Sequence, residues 1–145
     1  MSTVNILCVV DAESLVKQYP ASANSRQTLN HPQLQPYARM IAKQDDVLSS
    51  QASDNLSVKV RQGDVVKWRA VSLTDDQEYK VEIVGITSVN VGINPFELGN
   101  TDTWETVITS PPGTGTDSYW VNFNVKDPTG KLYQFYWDPY MTVVP

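Results

Sequence analysis

A strand-like segment near the C-terminal end carries the residue pattern best suited to binding. Trp120, Asn122 and Asn124 alternate with apolar residues, so their side chains share one face of an extended strand. Sugar sites place an aromatic ring beside a few polar groups that fix hydroxyls. The spacing therefore predicts a carbohydrate site formed by Trp120, Asn122, Asn124 and Asp117, with residues 114–117 as its rim.

The same tryptophan has a second interpretation. Trp120 could pack against another sheet or against a second copy of the chain, because aromatic side chains are enriched at protein interfaces. We favour packing or self-association over sugar binding, and we assign Trp68 to the core. The residues therefore indicate a homo-oligomer, with a carbohydrate as the alternative partner.

Catalysis by a nucleophile would need a base beside a Ser or Cys side chain. His31 is the only histidine and lies in a polar segment, while Cys8 lies in an apolar run that suits a small buried hydrophobe. The chain contains no Gly-x-Ser-x-Gly sequence. We therefore predict that the protein is not an enzyme. A hydrolase or redox activity would have to depend on His31.

Metal binding is restricted because the chain has only one His and one Cys. A copper site of the cupredoxin type needs two His and a Cys, and one histidine also argues against zinc. Calcium takes oxygen ligands, which Asp45, Asp46, Asp75 and Asp76 could supply. No Asp-x-Asp-x-Asp loop is present, so solvated turns explain these acids better. We predict no metal and no cofactor.

Composition and charge exclude several classes of partner. The chain has 145 residues, a net charge of −5 and 41% hydrophobic residues, which fits one domain over residues 1–145. The acidic balance argues against nucleic acid, whose phosphates are neutralised by Lys and Arg. Residues 1–10 carry no basic residue and reach Asp11 too soon for a signal peptide or a membrane span. We expect a cytoplasmic protein with no nucleic-acid or membrane partner.

The N-terminal segment predicts a strand followed by one helix. Residues 3–10 form a compact apolar run typical of a buried strand. Asp11 can cap a helix over residues 12–19, and Pro20 ends it. No further helical period follows, so we reject a doubly wound α/β fold. Residues 21–36 are rich in Ser, Asn, Gln and Pro and are predicted to be a long surface loop.

The rest of the chain favours antiparallel strands, because apolar and polar residues alternate between turn residues. Gly85 is expected at a bulge or close approach, and residues 127–130 have the composition of a type I hairpin turn. Further turns are predicted at residues 62–64, 74–77, 94–96, 99–100 and 111–115, with irregular connections over 45–55 and 89–103. We predict an all-β fold: a β-sandwich, jelly-roll or Ig-like, of about 7–8 antiparallel strands with one short N-terminal helix.

The C-terminal end is the most distinctive part of the chain. Residues 132–137 form an aromatic strand that runs into Trp137, Asp138 and Pro139, followed by a short closing strand. Asp138 precedes a proline and is most simply a turn former whose carboxylate accepts backbone N–H groups. We assign structural roles to these three residues and to Asp11, and a ligand role for either aspartate is the weaker alternative.

Six short segments together resemble the AidA/PixA family of bacterial inclusion-body proteins. They lie in order and span nearly the whole chain: VNILCVVD at 4–11, YP at 19–20, GDVVKWR at 63–69, VGI at 84–86, NPF at 94–96 and YWDP at 136–139. The first and last are distinctive, whereas a strand that opens with Gly-Asp is common in β-sandwiches. The chain looks shorter than many members around residues 21–55.

The resemblance implies a fold and a setting rather than a site. Such proteins are typically small, cytoplasmic and abundant, with expression linked to quorum sensing or phase and often with host interaction. The resemblance thus implies a self-associating, non-enzymatic protein, and it adds a host protein to the expected partners. It provides no catalytic or binding motif that can be transferred to residues of this chain.

Overall fold

The computed structural model describes residues 2–74, 78–99, 101–113 and 115–145. The strands are β1 (Thr3–Val10), β2 (Gln27–Thr28), β3 (Ala38–Ala42), β4 (Val47–Ser49), β5 (Ser57–Val60), β6 (Val65–Ser72), β7 (Lys80–Thr87), β8 (Phe96–Glu97), β9 (Thr103–Val107), β10 (Thr116–Ser118), β11 (Trp120–Lys126), β12 (Leu132–Trp137) and β13 (Tyr140–Val143). The α-helices are α1 (Ala12–Gln18) and α2 (His31–Leu34), and two 3-10 helices cover Pro20–Ala23 and Gln44–Asp46. Parts of three predicted features lie outside the described residues: the turn at 74–77, the turn at 99–100 and the rim position Thr114.

The strands form three mixed sheets. Sheet I has the order β3-β1-β6-β9-β8, sheet II the order β10-β13-β5-β4 and sheet III the order β2-β12-β11-β7. Each sheet contains a parallel pair: β1 with β6, β13 with β5, and β12 with β2. The all-β class is confirmed, but a sandwich of 7–8 antiparallel strands is wrong in strand number and in direction. Four strands have only two or three residues, too few to show alternation.

One cluster of buried side chains connects the three sheets. Along β1 and β11 every second residue points into it, as the two-residue period requires. On β1 and β11 these inward residues are at most 2% exposed: Val4, Ile6, Cys8, Val10, Val121, Phe123 and Val125. Burying a large apolar side chain contributes about 1.5–3 kcal/mol, so this burial fixes which face of each strand remains outside.

A buried polar contact crosses the core. The Nε1–H of Trp68 on β6 donates to the hydroxyl of Tyr119, 3.0 Å away, and the two rings lie 5.6 Å apart. Tyr119 stands between β10 and β11, so the contact joins sheet I to the chain that links sheets II and III. Trp68 is 0% exposed, which confirms its assignment to the core. Burial raises the pKa of the Tyr119 hydroxyl, which therefore stays neutral and able to donate.

Helix α1 follows the prediction closely. The Asp11 carboxylate accepts a hydrogen bond from the backbone N–H of Ser14 at 3.4 Å, as an N-cap does. Leu15 and Val16 are buried against the core. A seven-residue helix is marginal alone, so these buried residues hold it in place.

Residues 21–36 do not form the long surface loop that was predicted. They contain part of a 3-10 helix, strand β2 and helix α2. Asn30 and Gln33 form a reciprocal capping box at the start of α2, and Leu34 is 1% exposed. The spacing of Asn30 and Gln33 was a usable signal in the sequence. The predicted irregular connections likewise contain β4 and β8.

The C-terminal corner joins sheet III to sheet II. Trp137 is 1% exposed, and its Nε1–H donates to the carbonyl oxygen of Asp54 at 2.7 Å. The carbonyl oxygen of Pro139 accepts from the N–H of Tyr119 at 3.0 Å, and the N–H of Tyr140 donates to the carbonyl oxygen of Leu56 at 3.0 Å. These bonds support the structural role assigned to the corner.

Replacing Tyr119 with Phe tests the contact across the core. The ring stays, but the buried Nε1–H of Trp68 loses its acceptor, which costs roughly 1–3 kcal/mol for an unsatisfied buried group. Urea unfolding should show a free energy of unfolding lower by about this amount. Tyr140→Phe is the matched control, because among the described residues the Tyr140 hydroxyl has no partner. Equal stability of Tyr119→Phe and the parent protein would contradict the assignment.

Candidate functional site

The outer face of sheet III carries three of the residues predicted for binding, Trp120, Asn122 and Asn124, and the first two line a depression. Val121 and Phe123 point into the core, so Trp120 and Asn122 point outwards, as the alternation predicted. Tyr136 of β12 lies beside them. A depression of about 410 Å³ is lined by Thr28, Thr87, Trp120, Asn122 and Tyr136. We call these five residues the aromatic face.

Two aromatic rings stand together on this face. The ring centroids of Trp120 and Tyr136 are 5.7 Å apart and the planes meet at 77°, an edge-to-face arrangement. Both residues are half-buried, so each exposes part of its side chain. The sequence-based site did not include Tyr136. Its position between buried Phe135 and Trp137 was the signal that places it on the outer face.

Asn122 lies opposite a glycine and carries an unsatisfied oxygen. Asn122 pairs with Gly85, and the next residue, Phe123, pairs with Ile83. Val84 is therefore the additional residue of a β-bulge, which confirms the bulge predicted at Gly85. A Cβ at position 85 would lie 3.4 Å from Asn122 Nδ2, which is a van der Waals contact. Asn122 Oδ1 is buried and has no hydrogen-bond partner among the described residues. A buried oxygen without a hydrogen bond costs roughly 1–3 kcal/mol.

Arg26 borders the aromatic face and holds Asn124. Its guanidinium lies 5.4 Å from the centroid of the Tyr136 ring, a cation–π contact. It donates to two side-chain oxygens and two carbonyl oxygens: Asn124 Oδ1 at 3.0 Å, Gln134 Oε1 at 3.3 Å, Phe123 O at 3.1 Å and Phe135 O at 3.0 Å. Asn124 is therefore already engaged. Sequence reasoning missed Arg26 because its segment was predicted to be a loop.

Asp117 is not brought to the aromatic face. It is 2% exposed, and its carboxylate accepts from the Ser88 hydroxyl, from Asn90 Nδ2 at 3.3 Å and from the N–H of Val91 at 3.4 Å. These bonds fasten residues 88–91 to β10. The geometry thus gives Asp117 a structural task and leaves Trp120 and Asn122 as the predicted residues that line the depression.

The single histidine lies beside a buried aspartate. His31 Nδ1 lies 2.7 Å from Asp54 Oδ1, and Asp54 is 2% exposed. Within the described residues no Ser, Thr or Cys side chain hydrogen-bonds to this imidazole. Cys8 is buried in β1, where burial raises the pKa of its thiol. Burial also raises the pKa of Asp138, and the negative charge of Asp54 adds to the effect.

The structure describes one of the two aspartate pairs considered as calcium ligands. Asp45 is exposed and lies 3.9 Å from Lys43 Nζ, and Asp46 ends a 3-10 helix. Asp75 and Asp76 lie outside the described residues. In the part of the chain that the structure describes, no group of three or more His, Cys, Asp or Glu residues could hold a metal ion.

Together, the fold and this face define an all-β protein with a neutral aromatic sheet surface. The family model of PixA, described as inclusion body protein, matches residues 2–98, about two thirds of the chain. The chain therefore belongs to the PixA inclusion body protein family, which confirms the resemblance seen in its sequence.

A solved structure shows the same fold. The crystal structure of an inclusion body protein (PixA) from Burkholderia cenocepacia J2315 is similar over 99% of this chain and 96% of that chain, with a TM-score of 0.77 and 18% identity. No curated protein matches the chain in sequence. Among the described residues, no helix has the length and hydrophobicity needed to cross a membrane.

Proposed function

We propose that this protein is a non-enzymatic inclusion-body protein that self-associates through the aromatic face of sheet III. The observation that carries the proposal is the half-buried Trp120–Tyr136 pair on the outer face of sheet III, on a chain whose family is described as inclusion body protein. A contact between two identical faces related by a twofold axis closes at a dimer. The first step of assembly is therefore a reversible dimer, and larger bodies use additional surfaces.

The composition of the aromatic face suits a protein contact. Interface centres are depleted in charge and enriched in aromatic residues, and the five residues of this face are all uncharged. Val84, 39% exposed on neighbouring β7, extends the apolar surface. Arg26 and Glu82 lie at its border, where polar groups form the rim of an interface.

Side chains hydrogen-bond to the backbone of two edge strands, β3 and β7. Gln51 hydrogen-bonds along the edge strand β3, with Nε2 donating to Ala42 O at 2.6 Å and Oε1 accepting from Ala42 N at 3.2 Å. On the edge strand β7, Ile83 O accepts from Trp104 Nε1 at 2.8 Å. Open strand edges promote growth by added strands. The bonds at Ala42 and Ile83 occupy part of two edges, which supports assembly of folded molecules through their faces.

The setting is proposed on the family alone. We place the protein in the bacterial cytoplasm, produced under quorum-sensing or phase control, with a role in host interaction. These proposals rest on the resemblance and not on any residue of the aromatic face.

Trp120→Ala tests the proposed self-association. Losing a central interface tryptophan typically costs at least about 2 kcal/mol, so the dimer dissociation constant should rise roughly thirtyfold. Sedimentation velocity over a wide concentration range measures it, with circular dichroism to check folding. Phe96→Ala is the control, since Phe96 is 46% exposed on sheet I. A parent protein that stays monomeric at every concentration would remove the proposal.

Carbohydrate binding at the same face is the second candidate. The specific observation in its favour is concavity: a depression of about 410 Å³ places Asn122 beside an aromatic pair. An apolar sugar face could pack on a ring while sugar hydroxyls meet the polar side chains that line the depression.

A glycan array with the folded parent protein and with Trp120→Ala separates the two functions. The carbohydrate hypothesis predicts selective binding that the variant loses and that Phe96→Ala keeps, because only the first removes a ring from the depression. A blank array from a folded sample, or binding that survives Trp120→Ala, would exclude this site as a sugar site.

A further inference from the structure

The outer face of sheet I contains a second depression with a different character. Four neighbouring strands contribute to it, and in one row Ile41, Leu7 and Arg69 lie side by side. In the next row Asn5 pairs with Lys67. The depression has a volume of about 540 Å³. Volumes of 300–1,000 Å³ are typical of small-molecule sites.

Two cations line this depression, Lys67 and Arg69. Among the described residues, Lys67 and Arg69 form no ion pair and no side-chain hydrogen bond. Glu105 pairs with Lys67 in the sheet register, yet the two side chains form no ion pair. Lys43 also lines the depression and lies 3.9 Å from Asp45. The free positive charge is therefore concentrated at positions 67 and 69.

This placement stands out against the rest of the chain. The protein carries a net charge of −5, so its overall field repels anions. Lys67 and Arg69 are two residues apart on β6, and their side chains therefore emerge on the same face about 6–7 Å apart. An acid group between them could accept charge-assisted hydrogen bonds from both.

An apolar surface adjoins the two cations. Ile41 is 39% exposed, and its register partner Leu7 is half-buried on the same outer face. A ligand that only carried charge would leave this surface unused. A ligand with an acid group and a hydrocarbon body would cover both parts of the depression.

We propose that the outer face of sheet I binds a small organic anion. Its acid group lies between Lys67 and Arg69, and its apolar body packs on Leu7 and Ile41. The site is separate from the aromatic face, which belongs to sheet III. Binding of an anion at this site is therefore independent of self-association and of carbohydrate binding at the aromatic face.

Titration calorimetry with decanoate tests the site on the whole protein. The parent protein should bind decanoate at one site and bind the uncharged decanol much more weakly. The variant K67Q/R69Q should bind decanoate about tenfold more weakly or worse, because hydrogen bonds to charged groups are lost. The control K59Q/K126Q changes the net charge equally on sheets II and III and should bind within about twofold of the parent.

Three results would overturn the proposal. The first is no saturable binding of decanoate by a folded parent protein. The second is equal binding of decanoate by K67Q/R69Q and K59Q/K126Q, because the affinity would then depend only on the net charge of the protein. The third is a parent dimer that K67Q/R69Q disrupts without any decanoate binding, since the face would then contact a second copy. Leu7→Ser is an additional variant that keeps both cations and should weaken decanoate binding.

Discussion

The two-residue period of β11, with one side buried, is the constraint on which the rest of the structure depends. Val121, Phe123 and Val125 are at most 1% exposed, and their burial fixes the register of the strand. A slip by one residue would bury an asparagine and expose a phenylalanine. The same constraint therefore holds the core together and presents Trp120 and Asn122 to the outside.

Two outer faces with different chemistry follow from one core. Sheet III presents an aromatic pair beside uncharged polar side chains, whereas sheet I presents two cations that have no ion-pair partner among the described residues, beside aliphatic surface. Between them, Trp68 and Tyr119 join the sheets through a buried hydrogen bond. A change in the core would disturb both faces, but a substitution on one face leaves the other intact.

The sequence was most informative where a rule acts over neighbouring residues. Alternation placed Trp120 outwards and Trp68 in the core, and capping chemistry placed Asp11 at the start of α1. Pairing between distant segments carries no such local signal, so the parallel partnership of β1 with β6 was missed. Arg26 was missed for the same reason, because its partners lie about a hundred residues away on β11 and β12.

Hydroxyl-radical footprinting below and above the concentration of assembly tests most directly whether the aromatic face is the contact surface. Trp120 and Tyr136 should lose reactivity towards hydroxyl radicals in the assembled protein, because the contact covers them. Phe96, exposed on sheet I, should keep its reactivity in both states. If Trp120 and Tyr136 react in the assembled sample as they do in the monomer, the aromatic face is not the contact surface.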